Sequence, residues 1–367
     1  MIGVDPPCSR RWRCRGLSRR VRDPCAHSVE HAGQRFAACD ITTPEATGML
    51  VTVDGATTWI FHTAAEPTES GAARFTPRRC RELVRAAVGS RDLDVAVLSI
   101  LPWQPRGLLA DRFGEGRVLL IGDAAHAVPP VGAFGLNTGI ADAHNLAWKL
   151  AAVLDGRAGS ALVATYQTER RPVAAFALEQ SLLRLHEPRL HWEQGPQAAA
   201  ARAEAGAANA SVVHLGYRYD STAVVDARPE PPSWEHAELN LDGAPGSRLP
   251  HAWLESAGPR RSTLDLVRSE FTLLTGPAGS PWLQAAEQAS ARLGLPMTTH
   301  QLEVATSPGD PTRRWPGIAG IAEDGALLVR PDQFIAWRRN TLPDQPSEEL
   351  TRALRRVLAR EQPADAE

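Results

Sequence analysis

The chain has 367 residues, 43% of them hydrophobic, and a formal net charge of −2 at pH 7. Its length predicts about two or three domains, each large enough to bury a core. The near balance of charge argues against a nucleic-acid partner, because proteins that bind nucleic acid usually concentrate positive charge. The sequence contains no apolar run of about 18 residues, so it predicts no membrane span. It also has no cysteine or histidine spacing typical of a metal site.

The first 35 residues are rich in arginine and show neither the helical nor the strand period of apolar residues. Two interpretations stay open: a disordered basic tail, or an N-terminus read in a shifted frame. An RNA-binding arm is a third alternative. The segment SRRWRCRGLSRR resembles a twin-arginine export signal, but no apolar stretch follows it, so we expect a cytoplasmic protein.

Residues 48–101 predict a β-rich unit with one helix. Two β-rich runs flank Asp54-Gly55, and this dipeptide is typical of a hairpin turn because its backbone tolerates positive φ. A Thr-Pro pair then predicts a helix over 76–89, ending at a glycine. The alternation over Leu93–Leu101 predicts a strand with one wetter face.

The middle of the chain predicts a strand followed by two long helices. Arg117–Gly122 is short, apolar and β-branched at two positions, so it predicts a buried strand of a parallel sheet. After a loop rich in glycine and proline, a helix is predicted over 138–154. Its apolar residues share one face: Ile140, Ala143, Ala147, Leu150, Ala151 and Leu154. A second helix should begin near Ser160, and Pro172 should kink or divide it.

Beyond residue 246 short strands alternate with helices up to a last helix near 348–359. This alternation predicts a small α/β domain. An alanine-rich stretch over 197–210, ahead of that domain, also predicts a helix.

The most informative segment is GRVLLIGDAAHAVPPVGAFGLNTGIADAHNLAWKL, from Gly116 to Leu150. Its strand is followed by Asp123 and by a Gly/Pro loop that leads into a helix N-terminus. Ligands of open α/β sheets bind at this edge, and a helix N-terminus favours negative charge. A carboxylate there can accept hydrogen bonds from a polyol, while glycines let a flat ring approach the backbone.

This segment resembles the second flavin-binding motif of the para-hydroxybenzoate hydroxylase type of flavoprotein monooxygenase, and more narrowly the polyketide and rifampicin hydroxylases. The resemblance extends to FTPRRCRELVRAAVG and LPWQPRGLLADRF upstream and to TYQTERRPVA downstream. The region from Leu249 onward resembles the thioredoxin-like C-terminal domain of the larger members.

The resemblance implies an α/β protein in which a partial FAD-binding domain, with a substrate-domain sheet, is followed by a thioredoxin-like α/β domain. The implied divisions are a basic tail over 1–35, a remnant of the substrate-binding domain over 36–115, the C-terminal part of the FAD-binding domain over 116–195, a linker over 196–245 and the thioredoxin-like domain over 246–360.

The resemblance also implies FAD as cofactor, NAD(P)H as co-substrate, and oxygen-dependent hydroxylation of an aromatic, phenolic or polyketide-like substrate. Asp123 would hold the ribityl hydroxyls. The implied flavin contacts are Asp123, Pro130, Gly132, Gly135, Leu136 and Asn137. Pro130 and Gly132 would lie near the ring. The backbone of Gly135, Leu136 and Asn137 would face its pyrimidine edge. No residue is assigned a catalytic role.

Roles in local structure, without any ligand, are also open for these residues. Asp123 could cap the turn after the strand, the loop glycines could serve the turn alone, and Asn137 could be the N-cap of its helix. His126 is expected to pack behind the loop rather than act as an acid or base. Asp142 and His144 are expected to be surface or supporting groups of the helix.

Intact members of this family begin with a strand and a G-x-G-x-x-G turn that binds the pyrophosphate, and neither is found here. The sequence therefore predicts an N-terminally truncated hydroxylase of doubtful activity. One alternative is a non-catalytic flavin or ligand binder, or a fragment that pairs with a separately encoded N-terminal half. Another is a homodimer formed through the C-terminal domain, which contains no cysteine and so cannot perform dithiol redox chemistry.

Overall fold

A computed structural model describes residues 37–64, 74–255, 259–303, 305–307 and 309–360, together with the backbone of five short strands before residue 37. The chain forms two compact units, Met1–Gln104 and Pro105–Glu367. The five-part domain division expected from the sequence stays a prediction.

The first unit is built on an antiparallel sheet of five strands, in the order β6 (Ala38–Thr43), β7 (Ala46–Thr52), β8 (Thr58–His62), β1 (Ile2–Asp5) and β9 (Asp94–Val97). The expected basic tail over 1–35 lies outside the described residues, apart from the backbone of strands β1–β5. The elements of this unit are β1 Ile2–Asp5, β2 Trp12–Cys14, β3 Leu17–Arg19, β4 Glu30–His31, β5 Gln34–Arg35, β6 Ala38–Thr43, β7 Ala46–Thr52, β8 Thr58–His62, α1 Pro77–Val88 and β9 Asp94–Val97.

The predicted hairpin is confirmed, with β7 and β8 antiparallel around Asp54-Gly55. One carboxylate oxygen of Asp54 accepts hydrogen bonds from the backbone of Ala56, Thr57 and Thr58, and Gly55 has a φ of 73°. The aspartate therefore closes the turn by local bonds that the sequence alone specifies.

Helix α1 begins and ends where the sequence predicts. Thr76 is its N-cap and accepts a bond from the backbone of Arg79, and Gly89 ends it in the left-handed conformation. Leu83 and Val84 are buried in the hydrophobic core that α1 shares with the sheet. The strand after it is confirmed in part, because β9 ends at Val97 rather than at residue 101.

The first part of the second unit is mostly helical. Its elements are β10 Leu108–Leu109, β11 Gly114–Glu115, β12 Val118–Leu119, β13 His126–Ala127, α2 Phe134–Leu154, α3 Ala161–His186, α4 Arg189–Trp192, α5 Pro196–Glu204, α6 Ala210–Leu215 and α7 Ala237–Asn240. Helix α3 runs through Pro172 without interruption, so Pro172 does not divide it, while the alternative of a kink stays a prediction. The alanine-rich stretch is helical in part, as α5 and the start of α6.

The prediction of a buried parallel strand over Arg117–Gly122 is wrong for the described residues. Only Val118 and Leu119 are in a strand, paired antiparallel with Gly114 and Glu115. The side chain of Val118 is 67% exposed. The apolar run therefore lacks the flanking strands and covering layers that a buried parallel strand requires.

The rest of the second unit is a small α/β arrangement. Its elements are β14 Trp253–Leu254, β15 Arg261–Ser262, β16 Phe271–Thr275, α8 Ser280–Leu293, β17 Met297–Gln301, β18 Ala305–Ser307, β19 Asp310–Arg314, α9 Trp315–Ala319, β20 Ala326–Val329, β21 Ile335–Arg339 and α10 Pro346–Val357. One sheet has the order β15-β14-β18-β19 and the other β17-β16-β20-β21. Strand β16 is parallel to β17 and antiparallel to β20.

The α/β class is confirmed. The narrower thioredoxin-like assignment stays a prediction. A core of aromatic and aliphatic side chains joins this sheet to helix α2, where Trp148 meets the ring of Phe271 edge to face at 5.6 Å. In the described part of the chain no helix is long and apolar enough to cross a membrane, and no cluster of three or more metal-ligating side chains is found.

Candidate functional site

The candidate site begins at a 3-10 turn, Gly122–Ala124, which carries Asp123 in an exposed position. Asp142 of α2 holds this turn from behind. One carboxylate oxygen of Asp142 accepts a bond from the Gly122 backbone at 3.1 Å and another from Nε2 of His126 at 2.7 Å. The chain is thus fixed just before and just after Asp123.

Two glycines allow the turn to touch the helix. A Cβ atom added to Gly139 of α2 would lie 3.1 Å from the Cα of Gly122, closer than side chains normally approach. Gly122 itself has a φ of 55°, which favours glycine. The turn that carries Asp123 therefore rests directly on the backbone of α2.

Helix α2 starts four residues earlier than predicted, at Phe134. Ala133, with a φ of 55°, is its N-cap, and no side chain caps the helix. Asn137 is therefore not the N-cap; its side-chain amide donates to the carbonyl of Ala133 at 3.0 Å. The first turn contains no acidic residue. Its N–H groups lack intrahelical acceptors and give this end of the helix a positive potential.

The structure places most of the predicted contacts where a ligand could reach them. Asp123, Pro130, Leu136 and Asn137 are exposed and Gly135 is half-buried. Gly132 is buried, with a φ of 90°, and a Cβ there would collide with the ring of Phe134. The exposed residues lie on the Asp123 turn, on the loop and on the first turn of α2, whereas Gly132 is buried.

His126 packs behind the loop, as predicted, and is buried. Because an ionised Asp142 can only accept, Nε2 of His126 is the donor in their bond. Burial alone would raise the pKa of Asp142, but the bond from His126 and the charge of Arg170 outweigh it and lower that pKa. Asp142 is a buried supporting group, while His144 lies on the surface.

Arg170 is a supporting residue that sequence reasoning missed. Its guanidinium donates to Asp142 at 2.8 Å, to the hydroxyl of Tyr219 at 3.0 Å and to the carbonyl of Thr138 at 3.2 Å. Helix α3 thereby holds both Asp142 and the second turn of α2. The only signal in the sequence is that its motif TERRPV puts charged residues in the middle of a long helix.

A second buried network lies further along α2, around Glu169. This carboxylate accepts bonds from Asn145 at 2.7 Å, Lys149 at 2.7 Å, Ser221 at 2.6 Å and two nitrogens of Arg330 at 2.6 and 2.8 Å. Arg330 also binds Asp332. The turn between β20 and β21 is therefore tied to both long helices.

The charges of this network set its pKa values. Burial alone would raise the pKa of Glu169, but the adjacent cations Arg330 and Lys149 hold it far below its usual range. Burial lowers the pKa of Lys149 to about 8. The attraction of Glu169 opposes this shift but does not offset it, because Arg330 shares the same carboxylate. Four ionisable side chains, Glu169, Lys149, Arg330 and Asp332, thus share one desolvated site.

Helix α2 exposes the apolar face that an amphipathic helix normally buries. The predicted apolar face points outward: Ile140, Ala143, Ala147, Ala151 and Leu154 are exposed and Leu150 is half-buried. The opposite face, which carries Asp142, Asn145 and Lys149, is buried in the two networks. A helix normally buries its apolar stripe. Here the buried part of the helix also includes Leu146 and Trp148, so the two polar networks and these apolar contacts together decide the orientation. We call the exposed set, together with Leu136, the apolar stripe.

Two family models match the chain. One, described as an FAD binding domain, matches residues 21–181. The other, described as the C-terminal domain of aromatic-ring hydroxylases, matches residues 242–360.

Similar proteins include the tetracenomycin A2 monooxygenase-dioxygenase of Streptomyces glaucescens, 41% identical over 89% of this chain and 58% of that protein. The 4-methyl-5-nitrocatechol 5-monooxygenase of a Burkholderia species is 44% identical over 81% of this chain and 55% of that protein. The chain thus spans less than two thirds of the length of these relatives.

Solved structures give the same likeness. Aklavinone-11 hydroxylase in a ternary complex with FAD and aklavinone matches with a TM-score of 0.72 and 34% identity, over 87% of this chain and 58% of that one. The flavin-dependent monooxygenase PieE, in complex with FAD and substrate, matches with a TM-score of 0.66 and 33% identity, over 87% of this chain and 61% of that one.

Proposed function

The chain belongs to the FAD-dependent aromatic hydroxylases, and on that premise we propose that it acts as an FAD-dependent monooxygenase on an aromatic, phenolic or polyketide-like substrate, with NAD(P)H and oxygen as co-substrates. One observation carries this proposal. The turn that carries the exposed Asp123 rests on α2 through Gly122 and Gly139, close to the uncapped N-terminus of that helix. A polyol chain and an electron-rich ring edge are the groups that such an arrangement can bind.

The residues present fit the flavin. Asp123 is held from both sides and can accept hydrogen bonds from ribityl hydroxyls. The N–H groups of Gly135, Leu136 and Asn137 point out of the helix start and can bind the pyrimidine edge. Pro130 lies exposed beside them. Gly132 shapes the loop from beneath.

Bound FAD would supply the hydride acceptance and oxygen chemistry of the reaction. The protein would orient the ring, shield it from water and stabilise negative charge at its pyrimidine edge through the α2 N-terminus. The buried Asp142 and Arg170 would keep that N-terminus and the Asp123 turn in register. No side chain among the described residues is assigned an acid, base or nucleophile role.

The test is FAD binding by the purified chain, followed by NADH and NADPH oxidation with and without phenolic compounds. Asp123→Ala should weaken FAD binding about tenfold or more, since a hydrogen bond to a charged acceptor contributes about 1.5–3 kcal/mol. Asp344→Ala is the control, because this aspartate is also exposed but lies outside the site. Equal affinities of the two variants would contradict the proposed role of Asp123.

A second candidate function is a non-catalytic flavin-binding or partner-complementing module. The exposed apolar stripe of α2 supports it, because apolar surface of this kind is typical of a face that another chain covers. The partner would be a separately encoded N-terminal half of the hydroxylase or, in a homodimer, a second copy of this chain. This second function does not require the chain to turn over by itself. Both candidate functions include a cytoplasmic location, where NAD(P)H is available.

Light scattering of the purified chain separates these partners. Ile140, which is 59% exposed, is changed to Glu, and Leu239, 53% exposed outside the stripe, is changed to Glu as the control. A homodimer through the stripe should dissociate only in the first variant. A monomer that gains FAD binding when mixed with the N-terminal part of a relative would favour complementation. A monomer that binds FAD and turns over alone would argue against this second function.

A further inference from the structure

Arg184 of α3 is a fully buried arginine without an acidic partner among the described residues. Its Nη1 donates to the carbonyl of Gln180 at 2.9 Å and to the side-chain oxygen of Gln180 at 3.1 Å. Its Nη2 donates to the carbonyl of Ala208, and its Nε has no partner in the described part of the chain. A buried charge is normally paired, since desolvation without a counter-charge costs several kcal/mol.

The charge lies directly behind the loop of the candidate site. The guanidinium carbon is 5.1 Å from the ring centre of Phe134, the first residue of α2. One turn earlier on α3, the hydroxyl of Ser181 donates to the carbonyls of Pro129 and Val131 at 2.8 and 3.0 Å. The loop that leads into α2 therefore separates Arg184 from the exposed surface at Pro130 and Leu136.

The neighbouring titratable groups do not cancel this charge. Burial and the charge of Arg202 lower the pKa of Arg184 to about 10, so it stays protonated at neutral pH. Arg202 is itself paired with Glu235. Burial lowers the pKa values of His191 and His214 below their usual range, with a further contribution from Arg184. Among the described residues no acidic side chain compensates the charge of Arg184 behind the loop.

We propose that Arg184 is an electrostatic residue of the flavin site, which acts across the loop to favour the negatively charged reduced flavin over the oxidised form. This inference rests on the proposed function. Its charge adds to the positive end of α2, and the low dielectric of the interior makes the field stronger than in water. The energy lost in burying Arg184 would be recovered when an anion binds on the other side of the loop.

A purely structural role is the competing explanation. Arg184 and Gln180 together anchor residues 206–208, since Gln180 also donates to the carbonyl of Gly206 and accepts from the backbone of Ala208. An anchor would affect folding and the binding of both redox forms alike. A field from the guanidinium would change the ratio of the two affinities.

The experiment uses the full chain and measures the dissociation constants of oxidised and reduced FAD by fluorescence under anaerobic conditions. Arg184→Met should reduce the preference for reduced FAD about tenfold, which is about 30 mV for a two-electron couple. Gln180→Glu should act in the same direction, because it places a carboxylate against the intact guanidinium. Gln180→Met removes the anchor bonds without a change of charge, and the ratio should stay within about twofold.

Gln180→Glu keeps the test valid if Arg184→Met does not fold, since it leaves the arginine in place. The inference is overturned if both charge changes leave the ratio unaltered, or if Gln180→Met alters it as much as they do. Binding of FAD without dependence on Arg184 would leave the proposed function standing. Failure of the wild-type chain to bind either form would overturn both proposals.

Discussion

Changing Glu169 to Gln tests whether the buried network holds the second unit together. The substitution keeps the size of the side chain but leaves Lys149 and Arg330, both fully buried, without their shared carboxylate. Within the described residues of this network, Asp332 then remains as the one acid beside two cations. Removing one partner of a buried ion pair costs about 3–5 kcal/mol, so we expect a loss of that size in the free energy of unfolding.

The assay is urea unfolding followed by tryptophan fluorescence, since the guanidinium of Arg330 lies 5.1 Å from the ring centre of Trp148. Asp155→Asn is the matched control. Asp155 forms an ion pair of similar length with Arg157, at 2.6 Å, but the two side chains are 49% and 40% exposed. An exposed pair contributes about 0–1 kcal/mol and is screened by salt.

The two variants should therefore differ in both magnitude and salt dependence. The unfolding midpoint of Glu169→Gln should fall strongly at low and high salt, with the slope of the transition unchanged. The midpoint of Asp155→Asn should hardly move. If Glu169→Gln proves no more costly than the control, the network does not stabilise the fold as described.

Two further predictions concern helix α2. The folded chain should release the Lys149 proton near pH 8, whereas an unfolded lysine keeps it to about pH 10.4. The unfolded state then binds more protons between these values, so stability should rise with pH in that window, by up to about 1.4 kcal/mol per unit. Lys149→Met should abolish this rise in urea titrations at pH 7.5–10, and a rise that persists in the variant would contradict the assignment. Gly139→Ala should push the Asp123 turn off the helix, because its Cβ would lie 3.1 Å from the Cα of Gly122. FAD affinity should fall about tenfold while α2 stays helical by circular dichroism, and unchanged affinity would mean that this close approach does not position the turn.

Turn and cap residues in the sequence correctly predicted the elements that are stabilised by hydrogen bonds between residues close together in the chain. The Asp54-Gly55 hairpin and the capped helix α1 appear where expected because the side chains of Asp54 and Thr76 bond to backbone groups within four positions along the chain. The family was also recognisable from the sequence, since a run of 35 residues carries the whole turn, loop and helix start of the candidate site. The exact start of α2 was not, because it depends on the positive φ of Ala133.

The orientation of α2 could not be read from its sequence. Its apolar residues do share one face, as predicted, but tertiary contacts leave that face exposed. The reason is that Glu169 and Arg330, 161 positions apart, meet at the polar face of the helix. The charge networks, together with the burial of Leu146 and Trp148, therefore determine which side of α2 faces the interior.

The sequence by itself determined the class of the protein, its local turns and caps, and the residues of the flavin-binding motif. Tertiary structure alone decided which of those residues reach the surface, which face of α2 is buried, and where the uncompensated charge of Arg184 lies. Periodicity and turn chemistry act over a few residues, so the sequence displays them directly. Burial and charge pairing depend on groups far apart in the chain, and only the folded arrangement brings those groups together.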